Sequence, residues 1–94
     1  LFETSPFHMS IVKGDVETVQ KLIELGADVN QKWNGLTPAM YAAKFNRTEV
    51  LSVLITKGAN LKAKCPKGHT ALDYAKMSNA NDAKAVIKKE LEKK

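Results

Sequence analysis

The chain has 94 residues, of which 44% are hydrophobic and 27% charged, and a net charge of +5. A chain of this length buries only about 60–65% of the surface that its unfolded form exposes, so a deep enclosed active site is hard to build. The apolar stretches are too short to cross a bilayer, and the single cysteine, Cys65, excludes an internal disulfide.

Two groups of residues recur along the chain with the same period. The segments 5–9, 37–41 and 70–74 align at offsets of 32 and 33 positions, and the segments 22–30 and 54–62 align at an offset of 32. Because two independent landmarks share one period, the sequence predicts consecutive structural repeats.

Each repeat begins with a predicted short helix. Ser5, Thr37 and Thr70 supply a hydroxyl that can accept the first N–H groups of a helix. Pro6 and Pro38 follow at the first helical position, where a missing N–H is tolerated. These helices are expected to end near positions 13, 46 and 78, where the residues with turn chemistry are Gly14, Asn46 and Asn79.

A second predicted helix follows in each repeat, with Asp15, Thr48 and Asn81 as the expected N-caps. Gly26 and Gly58 end the first two of these helices, since glycine tolerates positive φ. One apolar face runs along each second helix, and a single helix pair cannot bury it alone, so the pairs are expected to stack. The members of these faces are Val16, Val19, Leu22, Ile23, Val50, Leu51, Leu54, Ile55, Ala83, Val86, Ile87 and Leu91.

The sequence resembles the ankyrin repeat in three features. They are the segment Gly35-Leu36-Thr37-Pro38, the alanine-rich first helix that follows it, and the segment Gly26-Ala27-Asp28-Val29-Asn30 after a second helix. The resemblance covers almost the whole chain. It implies an all-α fold with short β-hairpin-like turns, an ankyrin-type α-solenoid of stacked helix-turn-helix repeats. The expected organisation is one domain over residues 1–94, with repeats at about 5–33, 34–66 and 67–94.

The two ends of the chain differ. The second helix of the third repeat carries lysines on its outer face and lacks the Gly-Ala loop, which is typical of a C-terminal capping repeat. The first repeat lacks a glycine-bearing turn before Ser5, so the N-terminal end is expected to have been cut from a longer array.

The resemblance implies a non-enzymatic module that binds a partner protein through turn tips and the exposed side of the first helices. The alternative is a structural or regulatory segment of a larger multidomain protein, with intramolecular contacts. Neither interpretation calls for a cofactor. Mapped onto this sequence, the partner-binding positions are Trp33, Asn34, Leu36, Lys44, Phe45, Lys67, His69 and Met77.

Two aromatic residues among these positions have two interpretations each. Trp33 directly precedes the turn dipeptide Asn34-Gly35, where an exposed ring would be a typical interface anchor. Alternatively, its ring folds back over the neighbouring turn. Phe45, at the end of a first helix, either contacts the partner or covers the core between repeats.

Cys65, His69 and Asp73 combine a thiol, an imidazole and a carboxylate at intervals of four positions. A nucleophilic site would need these groups to converge in a pocket. They lie on a predicted surface turn that leads into a helix, and Cys65 and His69 are too few ligands for zinc. The sequence therefore predicts neither a catalytic nor a metal site.

Three other side chains with potential chemistry have structural interpretations. His8 matches the structural histidine of the ankyrin family, and the resemblance implies that it hydrogen-bonds the turn. Tyr41 and Tyr74 occupy the same position in successive repeats, which predicts packing between repeats.

The positive charge lies mostly in residues 57–94, which contain ten lysines and four acids, for a net charge of +6. The only arginine is Arg47, and arginine is the side chain that forks onto phosphates and bases, so neither nucleic acid nor a membrane is the expected partner. A protein with an acidic surface remains an option. The lysines form either a basic stripe or a solvated face, and they are Lys57, Lys62, Lys64, Lys67 and Lys76.

Three repeats are near the minimum for a stable stack. The first has an outer side that bears Phe2, Phe7 or Met9. We therefore expect a monomer of modest melting temperature, with weak self-association through the uncapped N-terminal end. A cytoplasmic location is favoured, and a secreted or periplasmic one stays open.

Overall fold

The computed structural model describes residues 6–93 as helix pairs joined by short turns. The α-helices are α1 (Pro6–Lys13), α2 (Val16–Glu24), α3 (Pro38–Lys44), α4 (Thr48–Thr56), α5 (Ala71–Met77) and α6 (Asn81–Leu91). Within the described part of the chain, no helix has both the length and the apolar character that crossing a membrane requires. The prediction of an all-α stack of helix pairs is confirmed.

The first helix of each later repeat begins at a threonine, as predicted. The Thr37 hydroxyl accepts the Met40 N–H at 3.3 Å, and the Thr70 hydroxyl accepts the Asp73 N–H at 3.3 Å. In return, Met40 Sδ and Asp73 Oδ2 accept the N–H of the capping threonine. These reciprocal contacts form capping boxes and satisfy helix donors that would otherwise lack a partner. The predicted cap Ser5 lies outside the described residues.

The second helices begin differently from the prediction in two of three repeats. Asp15 caps α2 as expected, because its carboxylate accepts the Thr18 N–H at 3.2 Å. Thr48 and Asn81 are not N-caps, and this prediction was wrong. Each is the first residue inside its helix, and the caps are Arg47 and Ala80, which make no side-chain cap hydrogen bond.

The turn backbone explains this difference. Gly14, Asn46 and Asn79 all adopt positive φ, between 54° and 77°, and in every repeat the next residue but one starts the second helix. The backbone of the turn therefore sets where the helix starts, whichever side chain follows. At α6 the missing cap is supplied by the preceding repeat, since Asn46 Oδ1 accepts the Ala83 N–H at 3.0 Å.

The helices stack in two rows, and the core lies between them. Helix α3 packs between α1 and α5, and α4 packs between α2 and α6. Ala42 and Ala75 are fully buried in the first row, where small side chains allow close approach, and Leu51, Leu54 and Ile87 are fully buried in the second. The expectation that stacking covers the apolar faces is confirmed in the middle of the stack.

At the N-terminal end the prediction was partly wrong. Phe7 is buried, with 6% of its surface exposed, so it cannot contribute to an open apolar side. Met9 is half-buried, and Phe2 lies outside the described residues.

Hydrogen bonds between repeats fix the position of each unit relative to the next. Arg47 Nε donates to the Val12 carbonyl at 2.8 Å, so the only arginine has a structural role. Asn30 Oδ1 accepts the Asn60 N–H at 2.8 Å, and Asn30 Nδ2 donates to the Gly58 carbonyl. These contacts join residues about one repeat apart in the chain and make the stack continuous.

The two threonines at predicted helix starts provide a test. Replacement of Thr37 by alanine removes a cap and should lower the free energy of unfolding by about 1 kcal/mol, whereas Thr48→Ala should change it by less than about 0.5 kcal/mol. Urea denaturation followed by circular dichroism measures both. Equal losses for the two variants would contradict the cap assignment.

Candidate partner-binding surface

Two tight turns, which we call the fingers, precede α3 and α5 at residues 32–36 and 64–69. In the first, the Trp33 N–H donates to the Leu36 carbonyl at 2.9 Å and the Leu36 N–H donates back at 3.2 Å. Asn34 and Gly35 between them adopt positive φ of 56° and 84°, as a tight hairpin turn requires. A side chain on Gly35 would come within 2.8 Å of Pro66 Cδ, so the two fingers lie against each other at this glycine.

The second finger is closed by hydrogen bonds from the Cys65 N–H to the His69 carbonyl and from the Gly68 N–H to the Cys65 carbonyl. Cys65 is buried, and the Tyr74 hydroxyl donates to its Sγ at 3.1 Å. This hydrogen bond lowers the pKa of the Cys65 thiol and raises the pKa of Tyr74 to about 12. The thiol is therefore part of the packing beneath the finger.

Of the three side chains that a thiol-based site would combine, those of Cys65 and His69 both contact Tyr74, and that of Asp73 binds the backbone of Thr70. The Asp73 carboxylate accepts the Thr70 N–H, which lowers the pKa of Asp73. The His69 ring packs edge-on against Tyr74, with 5.7 Å between ring centroids. Among the described residues, no three histidine, cysteine or acidic side chains gather in a group that could hold a metal ion.

Trp33 is half-buried and packs on the aromatic side chains of the first helices. Its ring stacks on His8 at 5.6 Å between centroids and lies 5.9 Å from Tyr41. The Tyr41 hydroxyl donates to the Trp33 carbonyl at 2.7 Å. The ring therefore folds back, but onto α1 and α3 rather than over the neighbouring turn that the second interpretation expected, and part of it remains exposed.

His8 is buried beneath the first finger, with 2% of its surface exposed. Its Nε2 lies 2.9 Å from the Gln31 carbonyl oxygen, within hydrogen-bond distance, in the segment that leads into the finger. Burial lowers the pKa of this imidazole, because the charged form loses hydration. His8 therefore joins α1 to the turn, as the resemblance implied.

The far ends of the first helices expose two large apolar side chains. Phe45, the C-cap of α3, is 42% exposed, and Met77, the last residue of α5, is 55% exposed. Lys44 Nζ lies 5.7 Å from the centre of the Phe45 ring. Both side chains are therefore exposed to solvent at the C-terminal ends of these helices.

The predicted partner-binding positions fall into two groups. Three of them are half-buried beside the core, and five are exposed. The half-buried ones are Trp33, Leu36 and His69, and the exposed ones are Asn34, Lys44, Phe45, Lys67 and Met77.

Sequence reasoning missed Leu25, the most exposed of the large hydrophobic residues, at 77%. It is the C-cap of α2, directly before Gly26. Its counterpart one repeat later is Lys57, which is also a C-cap. The sequence could have indicated the exposure of Leu25, because a charged residue occupies the same repeat position.

Comparison with known proteins establishes the class. A family model described as ankyrin repeats, with three copies, matches residues 4–94. The chain therefore belongs to the ankyrin repeat family, whose repeats generally mediate contacts between proteins and are typically non-catalytic.

The relatives are longer proteins. The human "Ankyrin repeat and SOCS box protein 11" is 39% identical over 72 residues, which cover 76% of this chain and 22% of that protein. The "E3 ubiquitin-protein ligase hecd-1" of Caenorhabditis elegans is 39% identical over 69 residues, or 73% of this chain and 3% of that protein. The rat "Ankyrin repeat and SAM domain-containing protein 6" is 30% identical over 84 residues, or 87% of this chain and 10% of that protein. The chain thus spans less than a quarter of the length of these relatives.

The packing of the two aromatic residues predicts different effects of truncation. Trp33→Ala removes a ring that covers His8 and Tyr41 and should lower the free energy of unfolding by about 2 kcal/mol. Phe45→Ala removes a ring that is 42% exposed and should lower the free energy of unfolding by less, under about 1 kcal/mol. Thermal or urea unfolding of the two variants distinguishes them, and a larger loss at Phe45 would refute the assignment.

The buried imidazole predicts a pH dependence of stability. The pKa of His8 is lower in the folded chain than the ordinary value of 6.5. Above that pH the imidazole is neutral in both the folded and the unfolded chain, so its burial does not reduce the free energy of unfolding. As the pH falls below about 6.5 the unfolded chain binds the proton first, so stability decreases. Urea midpoints at about pH 7.5 and 5.5 should differ more for the wild type than for His8→Gln. Identical differences would show that His8 makes no such contribution.

Proposed function

We propose that this chain is a non-enzymatic protein-binding module and that its partner contacts the fingers and the exposed ends of the first helices. The contact positions are Trp33, Asn34, Leu36, Lys44, Phe45, Lys67, His69 and Met77. The working organisation is the one expected from the sequence, with repeats at about 5–33, 34–66 and 67–94.

The observation that carries the proposal is the exposure of Phe45 and Met77 at the same end of adjacent helices. Large apolar side chains that are open to water and flanked by charged residues are typical of protein interfaces. Lys44 lies beside Phe45 and supplies such a charge. Stacking of α3 against α5 brings the two helix ends to the same edge of the stack.

Trp33 is a less independent contact residue in this proposal than a fully exposed tryptophan would be. Its partly exposed ring is held by His8 and Tyr41, so it offers a rigid surface with little conformational entropy left to lose. Substitution of Trp33 would disturb both the core and the surface. The test therefore depends on Phe45 and Met77.

The double variant Phe45→Ala/Met77→Ala should lose at least about tenfold in partner capture, since two exposed anchors typically contribute more than about 1.4 kcal/mol together. Capture from an extract of the source organism, with quantitative mass spectrometry, measures the loss against the wild type. Leu25→Ala is the matched control, because it removes an equally apolar and more exposed side chain outside the proposed surface.

A partner that depends on Phe45 and Met77 but not on Leu25 would support the site. If every captured protein is retained by the double variant, or is lost equally with Leu25→Ala, the site assignment fails. Circular dichroism of each variant checks that the helices remain folded.

The alternative is that the module belongs to a larger multidomain protein and that its contacts are intramolecular. The relatives favour it, since their matching regions are small parts of longer proteins. Cross-linking mass spectrometry on the protein as expressed in its source distinguishes the two. Links from Lys44 or Lys67 to another domain of the same polypeptide would support the alternative. Links to a second protein would support the module.

A further inference from the structure

The middle of the chain is almost free of acidic side chains. Between Val29 and Leu72 the only carboxylate is that of Glu49, so this segment has a net charge of +6 within a chain of net charge +5. Both fingers lie inside this segment. Its cationic residues are Lys32, Lys44, Arg47, Lys57, Lys62, Lys64 and Lys67.

The structure places three of these lysines on the two fingers. Lys32 Nζ donates to the Lys64 carbonyl at 3.2 Å, so the first ammonium group reaches across to the second finger. Lys67 lies in the turn that the Gly68 to Cys65 hydrogen bond closes. Lys32, Lys64 and Lys67 are all exposed, and within residues 6–93 none of them forms an ion pair.

The acidic side chains that flank this segment are engaged in local turns. The Asp28 carboxylate accepts the Asn30 N–H at 2.8 Å, and that of Asp73 accepts the Thr70 N–H at 3.0 Å. Neither forms an ion pair with a finger lysine. The positive potential at the fingers is therefore available to a ligand.

The type of cation selects the class of ligand. Arg47 is bound to the Val12 carbonyl and lies against Gly14, so no guanidinium group belongs to the fingers. Lysine is a compact point charge that pairs with carboxylates and lacks the planar fork with which arginine binds phosphates and bases. Trp33 directly follows Lys32 in the chain, and its half-buried ring, stacked on His8, leaves part of an aromatic face exposed there.

We propose that the fingers bind an acidic, extended protein segment, whose carboxylates pair with Lys32, Lys64 and Lys67 and whose apolar side chains lie against Trp33. The proposal rests on the protein-binding function above and names the chemistry of the partner. Because the lysines are exposed, the attraction is screened by salt and mainly accelerates and orients association.

A fluorescein-labelled poly(Glu-Tyr) peptide serves as the probe, and fluorescence anisotropy reports its binding to the whole chain. The finger variant Lys32→Gln/Lys64→Gln/Lys67→Gln should bind it about tenfold more weakly than the wild type. The matched control, Lys21→Gln/Lys88→Gln/Lys89→Gln, removes the same charge from exposed positions on α2 and α6 and should stay within about twofold.

Three results would overturn the proposal. The first is undetectable binding of the peptide by the wild type, and the second is equal weakening by the finger and control variants, which would show an effect of net charge alone. The third is tighter binding of single-stranded oligo(dT) than of the peptide, lost in the finger variant, which would make nucleic acid the occupant.

The outcome for the partner is separable from the outcome for the function. Suppose that a captured protein is lost with Phe45→Ala/Met77→Ala, but that the finger variant retains it and salt does not weaken its binding. This result would support the binding function and refute the acidic ligand. Failure of both variants to affect capture would refute the proposed contact positions as well as the acidic ligand.

Discussion

Each helix pair of this protein can bury its apolar face only against the next pair. Leu51 and Leu54 on α4 are fully buried because α2 and α6 flank that helix on both sides. Leu22 and Val16 at the N-terminal end of the stack are only half-buried, although they belong to the same kind of face. The stability of any one repeat therefore depends on its neighbours, and the middle repeat has the most complete core.

The same stacking creates the candidate binding surface without a cavity. Equivalent positions of successive repeats come to one edge, so the fingers lie side by side. They are so close that a side chain at Gly35 would clash with Pro66. Contacts between repeats join a side chain of one repeat to the backbone of another, as Arg47 does at the Val12 carbonyl and Asn46 at the start of α6. A ligand consequently meets a row of side chains from different repeats.

The helix starts show how far local sequence information reaches. Thr37 and Thr70 were predicted correctly because their capping partners are three residues away and depend on nothing else. Thr48 and Asn81 were predicted wrongly, since the positive φ of the preceding turn had already set where the helix begins. A good capping residue at a helix start is therefore no proof that it caps.

The aromatic residues show where local information ends. Trp33 adjoins a turn, and its neighbours in the chain leave both an exposed ring and a folded-back ring open; in the structure the ring rests on His8, about 25 positions upstream. Phe45 follows an alanine-rich helix whose side chains are all buried up to Ala43, and nevertheless it is exposed to solvent over 42% of its surface. Neither result could be read from adjacent residues.

By itself, the sequence determined the family, the helix pairs and their period, because turn glycines, caps within three residues and apolar spacing are local properties that repeat. Only the tertiary structure decided which rings are exposed, that Cys65 and His69 both contact Tyr74, and that Asn46 caps the next repeat at Ala83. These outcomes depend on atoms brought together by stacking, and the linear order of the chain does not contain their distances.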